Sequence, residues 1–289
     1  MSIMKEYISN WEELSDEQRK QAAKQFRGNP GLNSAVVHPA AKFFEENKWV
    51  KIDNFIDRNM ANLLYHHIQL ETARLNWYEE NNIKTDKDVE GTFTDQQAPG
   101  DFSKYGDPIM DTLLNLSLEQ METLTGYDLV PTYSYHRLYT KGTELKIHKD
   151  RPSCEISTTL CLGYDNSNID ASKYPDWDWP MFIKEKNGEE TPIHMKPGDM
   201  IIYRGCELSH WREPLLANNH AQVFLHYNEK GGEYDIPFDG RPLLGMSGNF
   251  RSDESLELNN QNVHQKYKDK DNDTIKEEKV VDIKKKVIY

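Results

Sequence analysis

The stretch YTKGTELKIHKD, residues 139–150, sets His148 and Asp150 on either side of one lysine at the end of a short β-type run. Residues two apart on a strand project to the same face, so an imidazole and a carboxylate are expected to enter one cavity together. A third candidate ligand, His210, ends a later β-run, DMIIYRGCELSH, residues 199–210. Two histidines and one carboxylate on one face of a metal leave the opposite face open, a set suited to non-haem iron(II). His-x-Asp alone is a weak signal. The other histidines (His38, His66, His67, His136, His194, His220, His226 and His264) have solvated or hydrogen-bonded structural roles as their default.

Working outward, short β-rich runs follow one another from Leu129: LVPTYSYHRLY, LKIH, EISTTLCL, WPMFIKE, PIHM, DMIIYR and AQVFLHYN. Turn signals at Lys141-Gly142, Asn187-Gly188 and Pro197-Gly198 separate them. Asp165 to Trp179 reads as an insertion. Upstream the character is helical. Asn10 and Glu13 have capping-box spacing ahead of a helix through Gln25, and Pro39 opens a short helix, PAAKFFEEN. Trp49 to Phe55 alternates like a strand. Asp57 to Leu75 reads as an amphipathic helix with Met60, Leu63, Leu64, Ile68 and Leu70 on its apolar side. Asn76 to Gly106 is expected to be a long loop of the kind that forms lids, and Asp107 to cap a helix that Gly126 ends. Helices followed by many short strands imply an α+β fold, a sandwich or jelly roll with helices packed outside. Three zones are expected: a helical extension over 1–47, the main domain over 48–247, and a polar tail over 248–289.

A net charge of −13 disfavours nucleic acid as a partner. The lysine-rich end, KYKDKDNDTIKEEKVVDIKKK, mixes both signs and reads as solvated. The sequence has no apolar run of about 18 residues and no signal-like start, so no membrane role is expected. Cys154, Cys161 and Cys206 have no zinc-like spacing, which fits a reducing cytoplasm.

Several motifs act together: the helix ending Thr125-Gly126, Tyr-x-x-Gly from Tyr139 to Gly142, His-x-Asp, a Pro-Gly-Asp turn at Pro197 to Asp199, and His-x-x-x-Pro from His210 to Pro214. With these the chain resembles the prolyl-4-hydroxylase-like branch of the 2-oxoglutarate and iron(II)-dependent oxygenases over roughly residues 49–228. The resemblance implies a double-stranded β-helix (jelly-roll or cupin-like) core. It also implies Fe(II) held by His148, Asp150 and His210, and conversion of 2-oxoglutarate and O2 to succinate and CO2. Tyr139 matches a tyrosine that hydrogen-bonds the cosubstrate. Relatives that halogenate replace the carboxylate ligand with a small residue, so Asp150 favours hydroxylation, with desaturation or ring closure open on the same chemistry. The substrate is expected to be an amino acid, a peptide or another small molecule.

One departure stands out. The family usually has Arg or Lys nine or ten residues after the second histidine, to pair with the distal carboxylate of 2-oxoglutarate, and here those positions hold Asn219 and His220. A buried dicarboxylate needs a cationic partner. Arg212, two residues beyond His210, is the first replacement by strand parity. Arg137, two before Tyr139, is the second, and His220, if protonated, the third. Parity also puts Ser157, Thr159 and Cys161 on one face, with Thr159 a candidate cosubstrate contact, and turns Arg151 away towards a rim or supporting contact. Tyr174, Trp177 and Trp179 either frame the mouth or pack. The missing Arg or Lys keeps a cupin-like metal-binding isomerase and a non-catalytic binding module as competing readings, and a zinc hydrolase using the same three ligands is a further one.

Overall fold

The computed structural model describes residues 38–174 and 177–259. The helix expected over Asn10 to Gln25 and the lysine-rich end lie outside them. Helix α1 (Pro39–Asn47) starts with Pro in its first turn, where the missing N–H costs nothing, and His38 Nδ1 accepts from Ala40 N. Its buried Phe44 meets Tyr127 edge-on, so residues 39–47 pack into the main core. Strand β1 (Trp49–Ile52) follows.

Helix α2 (Arg58–Glu80) begins at Asp57, whose carboxylate accepts from Asn59 N and Met60 N. Its buried stripe is Ala61, Leu64, Tyr65, Ile68, Glu71 and Leu75, whereas Met60, Leu63 and Leu70 are exposed. The expected apolar side was therefore rotated. Burial at Ala61 and Tyr65 set the true stripe, and Glu71 tolerates burial because Lys104 pairs with it at 2.6 Å. The helix also outruns Leu75 by more than a turn. The stretch expected as one long loop contains that turn, a short helix α3 (Lys87–Glu90) and strand β2 (Phe102–Tyr105), which pairs with β3. Helix α4 (Pro108–Thr125) runs as expected from its Asp107 cap to Gly126.

The strands are β3 (Leu129–Thr140), β4 (Leu145–His148), β5 (Ile156–Asp165), β6 (Met181–Lys184), β7 (Glu190–Ile193), β8 (Met200–Arg204), β9 (Ser209–Arg212) and β10 (Asn219–Glu229). They form two antiparallel sheets, a large one in the order β1-β8-β5-β10-β3-β2 and a small one in the order β4-β9-β6-β7. Neighbours such as β5 and β10 are far apart in sequence, and the fold is a double-stranded β-helix. The helices cover the outer face of the large sheet, and the small sheet covers part of its inner face.

This layering explains the continuous apolar reading of β5. Every residue from Ile156 to Gly163 is buried, because both faces are covered. Ile156, Leu160 and Leu162 join the core beneath the helices. Cys161 joins a second cluster with Ile183, Ile193 and Tyr203. The Pro-Gly-Asp turn feeds β8. Asp199 accepts from Asn54 N and Lys196 N, and Gly198, at φ +97°, passes so close to Ile56 O that a Cβ would sit 2.6 Å from it.

After β10 the chain crosses back to α4. The Asp111 carboxylate, wholly buried, accepts from Ser134 N and Oγ, from Gly245 N and from Arg241 Nη1 at 3.0 Å. Further on, Ser255 and Asn259 reach the buried Asp239, so residues 248–259 are packed against the main domain. Asp111→Ala strands a buried guanidinium and is expected to cost about 3–5 kcal/mol in urea denaturation. A loss under about 1 kcal/mol would show that Asp111 does not hold this segment.

Candidate active site

Strand β4 lies antiparallel to β9 with His148 and His210 as direct Cα partners. His148 Nδ1 lies 2.8 Å from Lys146 O and His210 Nδ1 lies 3.0 Å from Leu208 O. A carbonyl only accepts, so each Nδ1 carries the proton and each Nε2 keeps its lone pair. Both Nε2 atoms face Asp150 Oδ1, at 3.7 Å from His148 and 3.4 Å from His210. One donor atom from each residue lies within 4.8 Å of the others, a spacing that fits a single metal ion.

Two details differ from the strand-parity expectation. Asp150 lies beyond the end of β4, where its N–H donates to Gly205 O at 2.9 Å. His210 is not on the strand that the Pro-Gly-Asp turn introduces. A turn at 205–208 carries the chain from β8 in the large sheet to β9 in the small one. Gly205 makes this possible. A Cβ there would meet Asp150 Oδ2 and Ser157 Oγ at 2.5 Å, and Cys154 O as closely.

Asp150 is held from behind. Ser157 Oγ lies 2.8 Å from Asp150 Oδ2 and 2.9 Å from Cys154 O, both pure acceptors. Its single proton is committed to them, so His226 Nδ1, 3.1 Å away, is the donor to Ser157. Burial lowers the His226 pKa to about 4, with Asp150 opposing, so this ring is neutral at pH 7.

The triad opens into a cavity of about 380 Å³ that Tyr139, Thr159, Arg137 and Arg212 also line. Arg212 shares the inward face of β9 with His210 and is 1% exposed. Its Nη1 donates to Trp179 O and its guanidinium lies 4.6 Å from the Trp179 ring centre. No carboxylate among the described residues lies within ion-pair distance, and Nη2 has no hydrogen-bond partner there. Burial lowers its pKa to about 10, which leaves it charged at pH 7. Tyr139 OH, beside Arg137, and Thr159 Oγ1, beside Tyr203, likewise make no hydrogen bond of good geometry among the described residues. A buried cation, a phenol and a hydroxyl placed this way suit a carboxylate ligand.

The two other cationic candidates fare differently. His220 is buried, lies off the cavity lining and is kept neutral, first by burial and then by Arg212. It cannot serve as a cationic anchor. Arg137 is already paired, with Nη2 2.6 Å from Asp95 Oδ2 and 3.0 Å from Gln97 Oε1. Asp95 and Gln97 were missed because their segment read as an undifferentiated loop. Only its polarity hinted at them.

Arg151 leaves Asp150 in the other direction but still reaches the rim, paired with Asp239 at 2.8 Å and stacked over Tyr133. Trp179 packs rather than framing the mouth. It is buried against Tyr139 and His220 and donates to Glu213 O. Trp177 packs on Tyr164, and Tyr174 is exposed away from the cavity lining. A second cluster with metal-ligand spacing, His67, Glu71 and Asp107, is already served by a cation, since Lys104 Nζ sits 2.6 Å from Glu71 and 2.9 Å from Asp107.

No family model matches the sequence, and no curated protein does. Among solved structures the chain is similar to a Pseudomonas putida prolyl-4-hydroxylase. The two are 15% identical over 68% of this chain and 100% of that one, with a TM-score of 0.48. EctD from S. alaskensis with bound Fe is 14% identical over 74% and 84%, also at 0.48. AviO1 from Streptomyces viridochromogenes is 11% identical over 70% and 98%, again at 0.48. Identities and scores of this size say nothing about chemistry.

Ser157→Ala removes the donor behind Asp150 and is expected to weaken divalent-metal binding about 10- to 100-fold in a chelator competition. The neutral His226 gives a second test, on metal-free protein. Its folded pKa lies below the unfolded value, so the unfolded chain binds the extra proton and stability falls as pH drops from about 6.5 towards 4. His226 should contribute about 1.4 kcal/mol per pH unit to the loss in that window, beside the share of the paired carboxylates. His226→Gln should remove that contribution, and an unchanged slope would assign the whole loss to other groups.

Proposed function

We propose that this chain is an Fe(II)- and 2-oxoglutarate-dependent oxygenase that hydroxylates an unactivated C–H bond of an amino acid, a peptide or another small molecule. One observation carries the reading: the His148, Asp150 and His210 set shares its cavity with Arg212, a buried guanidinium that has no carboxylate partner among the described residues. Metal-assisted hydrolysis by itself has no need of that uncompensated charge, and 2-oxoglutarate brings a carboxylate to match it.

The donor set fits iron(II): two imidazole nitrogens and one carboxylate, with room on the cavity side for further ligands. Bound iron(II) would supply O2 activation coupled to oxidative decarboxylation of 2-oxoglutarate. The protein's part is positional. Lys146 O and Leu208 O fix the imidazole tautomers, and Ser157 and Gly205 fix the carboxylate. Arg212, Tyr139 and Thr159 are assigned to the cosubstrate, Arg212 to its distal carboxylate. Asp150 occupies the position that a halide would need, which supports hydroxylation.

Anaerobic addition of 2-oxoglutarate to the Fe(II)-loaded protein should produce a weak visible charge-transfer band. Admission of O2 should then yield succinate. Absence of both would overturn the proposal. Arg212→Ala should weaken 2-oxoglutarate binding roughly 10- to 150-fold, the equivalent of about 1.5–3 kcal/mol for a charged hydrogen bond. Arg212→Lys should restore little of it, since the ammonium lacks the planar fork. An unchanged 2-oxoglutarate affinity in Arg212→Ala would remove Arg212 from this role.

A further inference from the structure

Strand β3 presents Tyr133, Tyr135, Arg137 and Tyr139 to the cavity at two-residue intervals. Tyr139, beside Arg212 and Trp179, belongs to the end assigned above to the cosubstrate. One step along the strand, Arg137 and Asp95 form an ion pair that itself lines the cavity.

The pair is built rather than incidental. Arg137 is 5% exposed, and its Nε has no acceptor among the described residues. Asp95 Oδ2 also accepts from Tyr135 OH at 2.5 Å, and Asp95 Oδ1 accepts from Gln97 N at 2.8 Å. Burial opposes the ionised form of Asp95, but Arg137 and Tyr135 outweigh it and hold its carboxyl below the usual range. The segment that carries Asp95 is fixed at its far end, where the buried Asp101 accepts from Thr140 N, Thr140 Oγ1 and Thr143 Oγ1. Ala98, between them, is buried against Tyr139 and Trp179.

A fixed cation and a fixed anion side by side in a cavity select a ligand with the opposite charges at the same separation. A peptide interior offers neither charge and would gain nothing from the dipole of the Arg137–Asp95 pair that lines the cavity. A second dicarboxylate would face Asp95, and a polyamine would face Arg137. An α-amino acid zwitterion carries both charges one carbon apart. Farther along the same wall, Tyr133 stacked on Tyr105 at 4.7 Å, Phe224 and the Arg151 guanidinium are left for its side chain.

Resting on the oxygenase reading, we propose that the substrate is a free α-amino acid, held by its carboxylate at Arg137 and by its ammonium at Asp95. The test is anaerobic calorimetric titration of the Fe(II)-loaded protein, with and without 2-oxoglutarate, against the twenty common amino acids and their Nα-acetyl and carboxamide derivatives. At least one free amino acid should bind, and capping either end should weaken it tenfold or more. Asp95→Asn should shrink the penalty for acetylation and Arg137→Gln the penalty for amidation, each to under threefold. Binding by none of the twenty, or equal binding of free and capped forms, overturns the proposal even where the charge-transfer band is present. A missing band alongside selective amino acid binding would instead overturn the oxygenase reading and leave the amino acid site standing. The capped-ligand series on the unmutated protein decides the matter if either variant fails to fold.

Discussion

The two sheets are joined where Asp150 meets Gly205. Asp150 N donates to Gly205 O, Gly205 N donates to Glu155 O, and the Asp150 carboxylate fills the space that any larger residue at 205 would need. The chain passes from the large sheet to the small one at this point, and the three candidate metal ligands are gathered around it. His148 and His210 belong to adjacent strands of the small sheet, while Ser157, which holds Asp150, belongs to the large one. The distance from Asp150 to the two histidines is therefore tied to the distance between the sheets. Packing that keeps the sheets in register also keeps the donors at metal-binding separation.

The cavity is also organised by how its charges are matched. Two of its arginines, Arg137 and Arg151, reach carboxylates at 2.6 and 2.8 Å. Among the described residues Arg212 reaches only the Trp179 carbonyl and the face of that ring. A guanidinium tolerates this better than an ammonium, because it is weakly hydrated and stacks on aromatic faces. The contrast between matched and unmatched cations separates the cavity into two ends, which neither the overall charge nor the aromatic content of the chain could have done.

Much of this was legible in the sequence, and the limits have physical reasons. His148, Asp150 and His210 could be picked out because residue type and spacing carry that information locally. Parity along a regular strand correctly put Arg212 on the face of His210 and Ser157 on the face of Thr159, because every strand alternates. It was a poorer guide where the backbone leaves the strand, so Asp150 joins its partners from beyond the end of β4 and β8 does not run on into β9. The stripe of α2 was misread because Tyr65 and Glu71 are polar enough to pass for surface, and their burial depends on Asn219 and Lys104, far away in sequence. His220 looked cationic as a letter and is neutral in its surroundings. Asp95 could not be found at all, since nothing local distinguishes it from other polar loop residues until β2 and Asp101 fix its segment.

Asp239 extends the site beyond the barrel. Phe238 and Asp239 both hold positive φ, at 57° and 55°, a conformation that side chains resist and that costs of order 1–3 kcal/mol per residue. The surroundings hold them there: Arg151, Tyr105, Ser153 and Ser255 all bond the Asp239 carboxylate. Arg151 and Tyr105 are also walls of the cavity. The shape of the Arg137 end of the cavity is thus set partly by residues that follow β10. A lineage under selection for a different substrate could reshape the pocket by changing this polar C-terminal wrap, leaving the metal ligands and the barrel untouched.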